Sequence, residues 1–347
     1  MKIGLLTYHH SSSYGATLQT YATCKVLEQL GHKVTIINLA LAEYSFSWKS
    51  IPVIPNRIFR KYLWKKIYPP LTQCFETSEA LREAKFDFDI LLVGSDQVWN
   101  PEISKDLCLS FFLDFGGEGV KRISYASSFG LARWPLNHEH LLPKIKTTLQ
   151  KFNAISVRER TGQQMLKDYF GLDAKIVLDP TLLLSDYSKL MGTAKANNKL
   201  ICYIMNHTPQ QLNKVREFAA FMGEKPYQMA SIRPFNGFKY IYPPTLPQWL
   251  RNISGAKYVV TDSFHGLVFC LIFHKQFVVI TPDNGLNSRM QDLLKLVGLE
   301  DRLYNEQDNI NYSLLLCNKI DYSIIDKVLD DVRIESIHFL NDALNLS

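Results

Sequence analysis

No apolar run in this sequence reaches the roughly 18 residues that cross a bilayer as a helix. The six cysteines (Cys24, Cys74, Cys108, Cys202, Cys270 and Cys317) are scattered, with no CxxC pair. That spacing argues against a zinc site or a disulfide framework and fits a reducing compartment, so no metal is expected. The opening MKIGLLTYHHSSSYG has one lysine and a short apolar run. It reads as a first strand rather than an export signal, which makes a cytoplasmic location the expectation and leaves the sequons at Asn206, Asn252 and Asn311 without weight. An excess of one charge is also missing. There are 39 Lys and Arg against 33 Asp and Glu, a net +6, too mild to point to nucleic acid. There is no Walker A loop, no GxGxxG after the first strand and no GxSxG elbow.

What is present is a chain of 347 residues, 46% hydrophobic and 21% charged, enough for two domains with proper cores. Strand and helix signals alternate, which argues for parallel sheets. Strands are predicted at 3–7, 34–39, 90–93, 122–126, 154–157 and 175–178, with a helix at 16–30 closed by Gly31. Residues 179–198, with Pro180 and a polar, small-residue stretch, look like a junction. Beyond it the alternation resumes with strands at 200–205, 227–231, 257–261 and 277–280. Helices are predicted at 210–222, 247–253, 267–273, 289–297 and 322–345. The expectation is an α/β protein of two facing Rossmann-like domains with a cleft between them. Residues 1–180 form the first, joined by the C-terminal helix 322–345, and residues 195–320 form the second. Residues 40–85 are less regular and read as an insertion. Within them, residues 57–68 interleave Arg57, Arg60, Lys61, Lys65 and Lys66 with aromatic and aliphatic residues. Such a stretch suits either a solvated helix packed on its own domain or a peripheral contact with an anionic membrane surface.

Four polar clusters end apolar runs. GSDQ places Ser95, Asp96 and Gln97 after 90–93. YASSFG places Ser127 and Ser128 after 122–126. SVRE places Arg158 and Glu159 after 154–157. TDSFHG places Asp262, Ser263 and His265 after 257–261. In open α/β sheets ligands bind at the carboxyl ends of strands, and a helix starting there offers unpaired N–H groups to an anion. His265 is then a titratable group in an anion pocket. The turn HHSSSYG (9–15) offers amides and hydroxyls, which makes Tyr14 and Gly15 candidate contacts. Each cluster also has a plainer reading. Asp96 and Ser128 suit helix caps or turns, Arg158 a surface ion pair, His265 a satisfied core position and Trp99 simple packing. His138, Glu139 and His140 read as a solvated loop.

Taken in order, YGATLQTYA (14–22), GSDQVWNP (94–101), YASSFG (125–130), ISVRE (155–159), VLDPTLL (177–183) and TDSFHG (261–266) resemble the polysaccharide pyruvyl transferase family. The segment Asn287-Ser288-Arg289 with its following helix is also similar. The resemblance covers about the first 300 residues. It implies a GT-B-like pair of domains, the first on the acceptor side and the second on the donor side. It also implies transfer of a pyruvyl group from phosphoenolpyruvate to sugar hydroxyls of a cell-surface polysaccharide or its lipid-linked precursor, with formation of a ketal. Phosphoenolpyruvate is a co-substrate, and no further cofactor is implied. The resemblance puts Arg158 at the donor, where a guanidinium suits a carboxylate or phosphate. His265 is a candidate for phosphate contact or proton donation, and Asp96 for the base acting on a sugar hydroxyl. Ser127, Gln97, Tyr14, Gly15, Ser263 and Arg289 complete the expected substrate contacts. Several family members carry Arg-Leu-His where this chain has Ser263-Phe264-His265, so a cation is expected from Arg289 or Arg251 instead. The alternatives are a GT-B glycosyltransferase using a nucleotide sugar and a non-catalytic glycan-binding protein.

Overall fold

A computed structural model describes residues 1–9, 13–40, 63–229, 233–242, 244–282 and 288–346. Its described strands form two sheets of six, and every pairing is parallel. The chain divides into two compact units, one built on each sheet.

The first unit comprises the described residues of Met1–Phe46, Trp64–Leu184 and Asp330–Ser347. Its strands are β1 (Lys2–Leu6), β2 (Lys33–Ile36), β3 (Ile90–Val93), β4 (Lys121–Ser127), β5 (Ala154–Val157) and β6 (Lys175–Ile176). They lie in the order β2-β1-β3-β4-β5-β6. The order reverses between β1 and β3, which makes that crevice the topological switch point. All four residues of β3, Ile-Leu-Leu-Val, are buried, as a strand covered on both faces requires. Trp99 belongs to this core. Its ring stacks on Phe112 at 5.3 Å and 6°, and its Nε1 donates to the Phe111 carbonyl at 2.9 Å. It is packing, fully buried.

The described part of the second unit is Leu63 and the described residues of Ser185–Leu329. Its strands are β7 (Leu200–Tyr203), β8 (Pro226–Gln228), β9 (Lys239–Tyr240), β10 (Tyr258–Thr261), β11 (Phe277–Thr281) and β12 (Leu303–Asn305). The order β12-β11-β10-β7-β8-β9 places a switch point between β7 and β10. The helix Tyr322–Asn345 contributes to both units. In the second, the Tyr322 hydroxyl donates to the Cys270 carbonyl at 3.2 Å. In the first, Arg333 donates to the Leu182 carbonyl at 2.8 Å, and the Leu178 amide donates to Ser336 Oγ at 3.0 Å.

The structure departs from expectation at two edge strands and at one helix start. The edge strands β9 and β12, two and three residues long, have no apolar run to announce them. The helix expected from Leu267 begins at Phe264, because Ser263 caps it three residues earlier than the apolar run suggests. Of the basic aromatic stretch 57–68, residues 57–62 lie outside the described residues. In its described end, Trp64 stacks on Tyr68 at 6.2 Å, and the buried Tyr68 donates to the Thr17 carbonyl at 3.2 Å.

Candidate functional site

In the first unit the expected residues gather around the β1/β3 switch point. Arg158, just past β5, is the hub. Its Nη1 donates to Asp179 Oδ2 at 2.7 Å, its Nη2 to Asp96 Oδ1 at 3.2 Å, and its Nε lies 3.8 Å from Glu159 Oε2. The side chain is 1% exposed, so this is not the surface pair considered above. Burial alone would lower its pKa, but the charges of Asp179, Asp96 and Glu159 together hold it above the ordinary arginine value. Asp179 is equally committed. Its Oδ1 accepts from the Thr181 amide at 3.0 Å and hydroxyl at 2.6 Å, capping the helix Pro180–Leu183, and its Oδ2 also accepts from Ser95 Oγ at 2.9 Å. Glu159 Oε1 accepts from the Phe129 amide at 3.1 Å. Of the three carboxylates around this guanidinium, the one nearest water is Asp96, at 16% side-chain exposure.

The backbone here is set by close approach. Gly94 sits at φ +118°, and a Cβ on it would lie 2.2 Å from the Tyr125 carbonyl oxygen. Asp96 follows at φ +78°, an arrangement that aspartate tolerates better than most side chains. The helix Tyr14–Gln29 braces the same loop. Gln19 Nε2 donates to Thr7 Oγ1 at 2.9 Å, and Thr7 Oγ1 donates to the Ser95 carbonyl at 3.1 Å. Tyr14 and Gly15 are the first two residues of that helix. Gln97 is half-buried and its Oε1 accepts from Asn100 at 3.3 Å. Ser127 is buried, with its hydroxyl on the Val93 carbonyl at 3.3 Å, so it ties β3 to β4.

In the second unit Ser263, His265 and Arg289 gather at one helix start beside the β7/β10 switch point. Ser263 Oγ accepts from the Gly266 amide at 3.4 Å and is the N-cap of the helix Phe264–Ile272. His265 is the second residue of that helix rather than part of the turn before it, and is 7% exposed. Gly266 is required where it stands, since a Cβ there would meet Thr261 Oγ1 at 2.2 Å. The Arg289 guanidinium lies over the Phe264 ring at 5.9 Å, and Phe264 in turn packs edge-on to His265 at 5.3 Å. Arg251 is engaged elsewhere, donating to the Met191 carbonyl at 2.6 Å. Asp262 does structural work: its two oxygens accept from the Met205 and Asn206 amides at 2.7 and 2.9 Å, locking the loop after β7 to the end of β10. Burial raises its pKa, and the amides and Gln211 only partly offset this.

Sequence reasoning missed Asp179 and Ser95 as members of the arginine cluster. The available signal was Asp-Pro after an apolar run, which marks a capped helix start. Nothing in a single sequence says that the cap also faces an arginine 21 residues earlier.

Two parallel Rossmann-type sheets, each with polar clusters at its switch point, define a GT-B-like α/β protein. Solved structures bear this out at the level of fold. UDP bound to MnaA of S. aureus defines one of them, with 12% identity, 100% of this chain and 97% of that chain covered, and a TM-score of 0.56. A second is the Methanocaldococcus jannaschii UDP-GlcNAc 2-epimerase in complex with UDP-GlcNAc and UDP, with 10% identity, 96% and 100% coverage, and a TM-score of 0.54. A third is the Neisseria meningitidis UDP-GlcNAc 2-epimerase bound to UDP-GlcNAc, with 10% identity, 100% and 95% coverage, and a TM-score of 0.51. No protein of curated function matches the sequence. The sequence model described as polysaccharide pyruvyl transferase matches residues 14–284. The chain belongs to the polysaccharide pyruvyl transferase family.

Proposed function

We propose that the protein transfers the pyruvyl group of phosphoenolpyruvate to two hydroxyls of one sugar in a surface glycan or its lipid-linked precursor, forming a cyclic ketal and releasing phosphate. The observation that carries this is the family match, which runs through the strand-end clusters of both units. Among the described residues no helix is long and apolar enough to cross a membrane. A cytoplasmic enzyme, working where lipid-linked glycans face the cytoplasm, is the reading adopted.

The second unit supplies the donor site in this reading. The helix beginning at Phe264 points amides and the positive end of its dipole at an anion, and His265 and Arg289 add side-chain donors. A proton delivered to the methylene carbon of phosphoenolpyruvate leaves a cation-like centre at C2, and His265 is the candidate donor. One sugar hydroxyl adds to C2 and loses its proton. The second hydroxyl then adds as the C2–O bond to phosphate breaks, and the phosphate leaves with the electron pair. Asp96 in the first unit is the candidate base for these hydroxyl protons, held in place by Arg158. Arg158 is already compensated by three carboxylates, so its role here is to position Asp96 rather than to grip the donor by itself.

The test is phosphate release from phosphoenolpyruvate across a panel of saccharide acceptors. Acceptor-dependent release that falls at least about a hundredfold in His265→Ala supports the reading, since general acid–base groups are worth roughly that much or more. Stabilisation against heat by a nucleoside diphosphate but not by phosphoenolpyruvate would transfer the case to a nucleotide-sugar glycosyltransferase. Sugar binding without turnover, unchanged in Arg158→Ala and His265→Ala, would mark a glycan-binding protein.

A further inference from the structure

The described part of the second unit has a cavity of about 340 Å³ that the proposed chemistry does not use. Arg216, Lys225 and Lys239 line it, together with Ala219, Ala220 and Phe238. Lys225 immediately precedes β8 and Lys239 opens β9, so the cavity lies on the amino-terminal edge of the parallel sheet. Asp262 and His265 follow the carboxyl end of β10, on the opposite edge of the same sheet. It is therefore a separate place from the candidate donor site.

Its chemistry is specific. Arg216, Lys225 and Lys239 are the cations of the lining, and Ala219, Ala220 and Phe238 are its apolar part. The one acid in the lining, Glu224, is taken by Lys257 at 2.7 Å. Lys225 has no ion pair among the described residues. Lys239 and Lys199 lie over the Tyr227 ring at 5.7 and 4.8 Å, which adds positive charge beside the cavity. Arg216 is fixed in the wall by the Asn236 carbonyl at 3.0 Å and by Asn213, which occupies only part of its five-donor fork. Gly237 makes this wall possible: at φ +81°, a Cβ there would lie 3.1 Å from Arg216 Cδ. A concave site lined by cationic and apolar side chains takes a discrete small group, not the plane of a membrane.

We infer that this cavity binds the carboxylate of a pyruvate ketal on a sugar ring, the product group of the proposed reaction, as carried by a glycan chain already modified elsewhere. The inference rests on the proposed function for its ligand class. A ketal presents one carboxylate, one methyl group and a sugar ring. The carboxylate matches Arg216, Lys225 and Lys239, and the methyl group and ring face match Phe238 and the two alanines. A glycan held this way stays on the protein through successive modifications, and affinity grows with the number of ketals carried.

The test is titration calorimetry with a methyl hexoside carrying a cyclic pyruvate ketal, against the same hexoside without it, and no phosphoenolpyruvate present. The wild type is expected to bind the ketal hexoside and not the neutral one. The exposed double variant Lys225→Glu/Lys239→Glu is expected to lose about tenfold or more in affinity. Equal binding of the neutral hexoside, or unchanged binding by the charge-reversed variant, overturns the inference. So does charge-dependent binding to anionic lipid vesicles with none to the ketal hexoside. Phosphate release with a monosaccharide acceptor is measured separately. If ketal binding persists where release fails, the catalytic reading falls and the cavity stands.

Discussion

Arg158 and Asp179 form an ion pair of 2.7 Å in which the guanidinium side chain is 1% exposed and the carboxylate side chain 0%. One carboxylate oxygen faces the arginine and the other caps a helix. The pair therefore joins the end of β5 to the chain that follows β6, and through Nη2 it fixes Asp96. A buried pair of this kind gains little relative to apolar residues of the same size, but losing one partner is costly.

The first prediction follows from that asymmetry. Asp179→Asn leaves the shape intact and removes the nearest compensating charge. It is expected to cost about 3 kcal/mol in urea unfolding, less than a lone pair would cost because Asp96 and Glu159 remain beside the arginine. The double variant Arg158→Met/Asp179→Leu should not recover that loss, because Glu159 and Asp96 then lose their cation and the helix Pro180–Leu183 loses its cap, and it should abolish turnover. A denaturation midpoint for Asp179→Asn equal to the wild type would show that the pair is not structural.

Gly94 carries the second prediction. A methyl group there has no room, since its Cβ would lie 2.2 Å from the Tyr125 carbonyl oxygen, and φ +118° is closed to L side chains. Gly94→Ala is expected to cost about 3 kcal/mol or more by combining strain with overpacking. It should also reduce turnover beyond the loss of folded protein, because Asp96 lies two residues on. Gly31→Ala is the control: φ is +85° but nothing stands within 4 Å. It should be milder in stability and silent in turnover per folded molecule.

The architecture was legible because parallel strands buried on both faces leave continuous apolar runs. Ile90–Val93 and Ala154–Val157 were read to the residue. The edge strands of the second sheet were not, because Lys239–Tyr240 and Leu303–Asn305 are short and have no continuous apolar run. His265 was legible as a titratable group at a strand end. Its place inside the helix was not, because the start is decided by the Ser263 cap rather than by the apolar run from Leu267. The arginine cluster was half legible. Asp96 and Arg158 stand out at strand ends, but their meeting with Asp179 depends on how β3, β5 and β6 lie in one sheet.

Ser263 separates capping from donor binding. Ser263→Ala removes the side-chain acceptor for the Gly266 amide and is expected to cost about 1 kcal/mol. Ser263→Asp keeps the cap and adds a favourable charge at the helix start, worth about 0.3–1 kcal/mol. The Asp variant should thus melt no lower than the wild type yet bind phosphoenolpyruvate more weakly than the Ala variant does. If thermal shift shows the Asp variant binding phosphoenolpyruvate as well as the Ala variant, the helix start is not the donor site.

Arg289 and Arg251 are distinguished by their contacts. Arg289 lies over Phe264 beside His265, whereas Arg251 holds the Met191 carbonyl. Arg289→Ala should weaken phosphoenolpyruvate binding by about tenfold or more with little change in unfolding, the loss of one charge-assisted contact. Arg251→Ala should lower stability and leave the affinity of the folded protein unchanged. Calorimetric titration of both variants decides between them, and the reverse pattern would make Arg251 the substituting cation.

Asp262 gives a pH dependence whose sign is fixed. Burial raises its folded pKa above the ordinary 3.8, more than its amide partners lower it. Below the unfolded value the carboxyl is protonated in both states, and its contribution to stability is fully present. As pH rises through the folded pKa that contribution is lost, because the folded state must then hold a buried charge that the unfolded state holds in water. Asp262→Asn does not titrate, and its single carbonyl oxygen serves the Met205 and Asn206 amides less well by an amount independent of pH. The stability of the wild type relative to Asp262→Asn should therefore fall from about pH 4 upward and level off above the folded pKa. Urea midpoints of both proteins between about pH 4 and pH 7 measure it. A difference that stays constant or grows with pH would mean that the two amides outweigh burial and hold the carboxylate ionised.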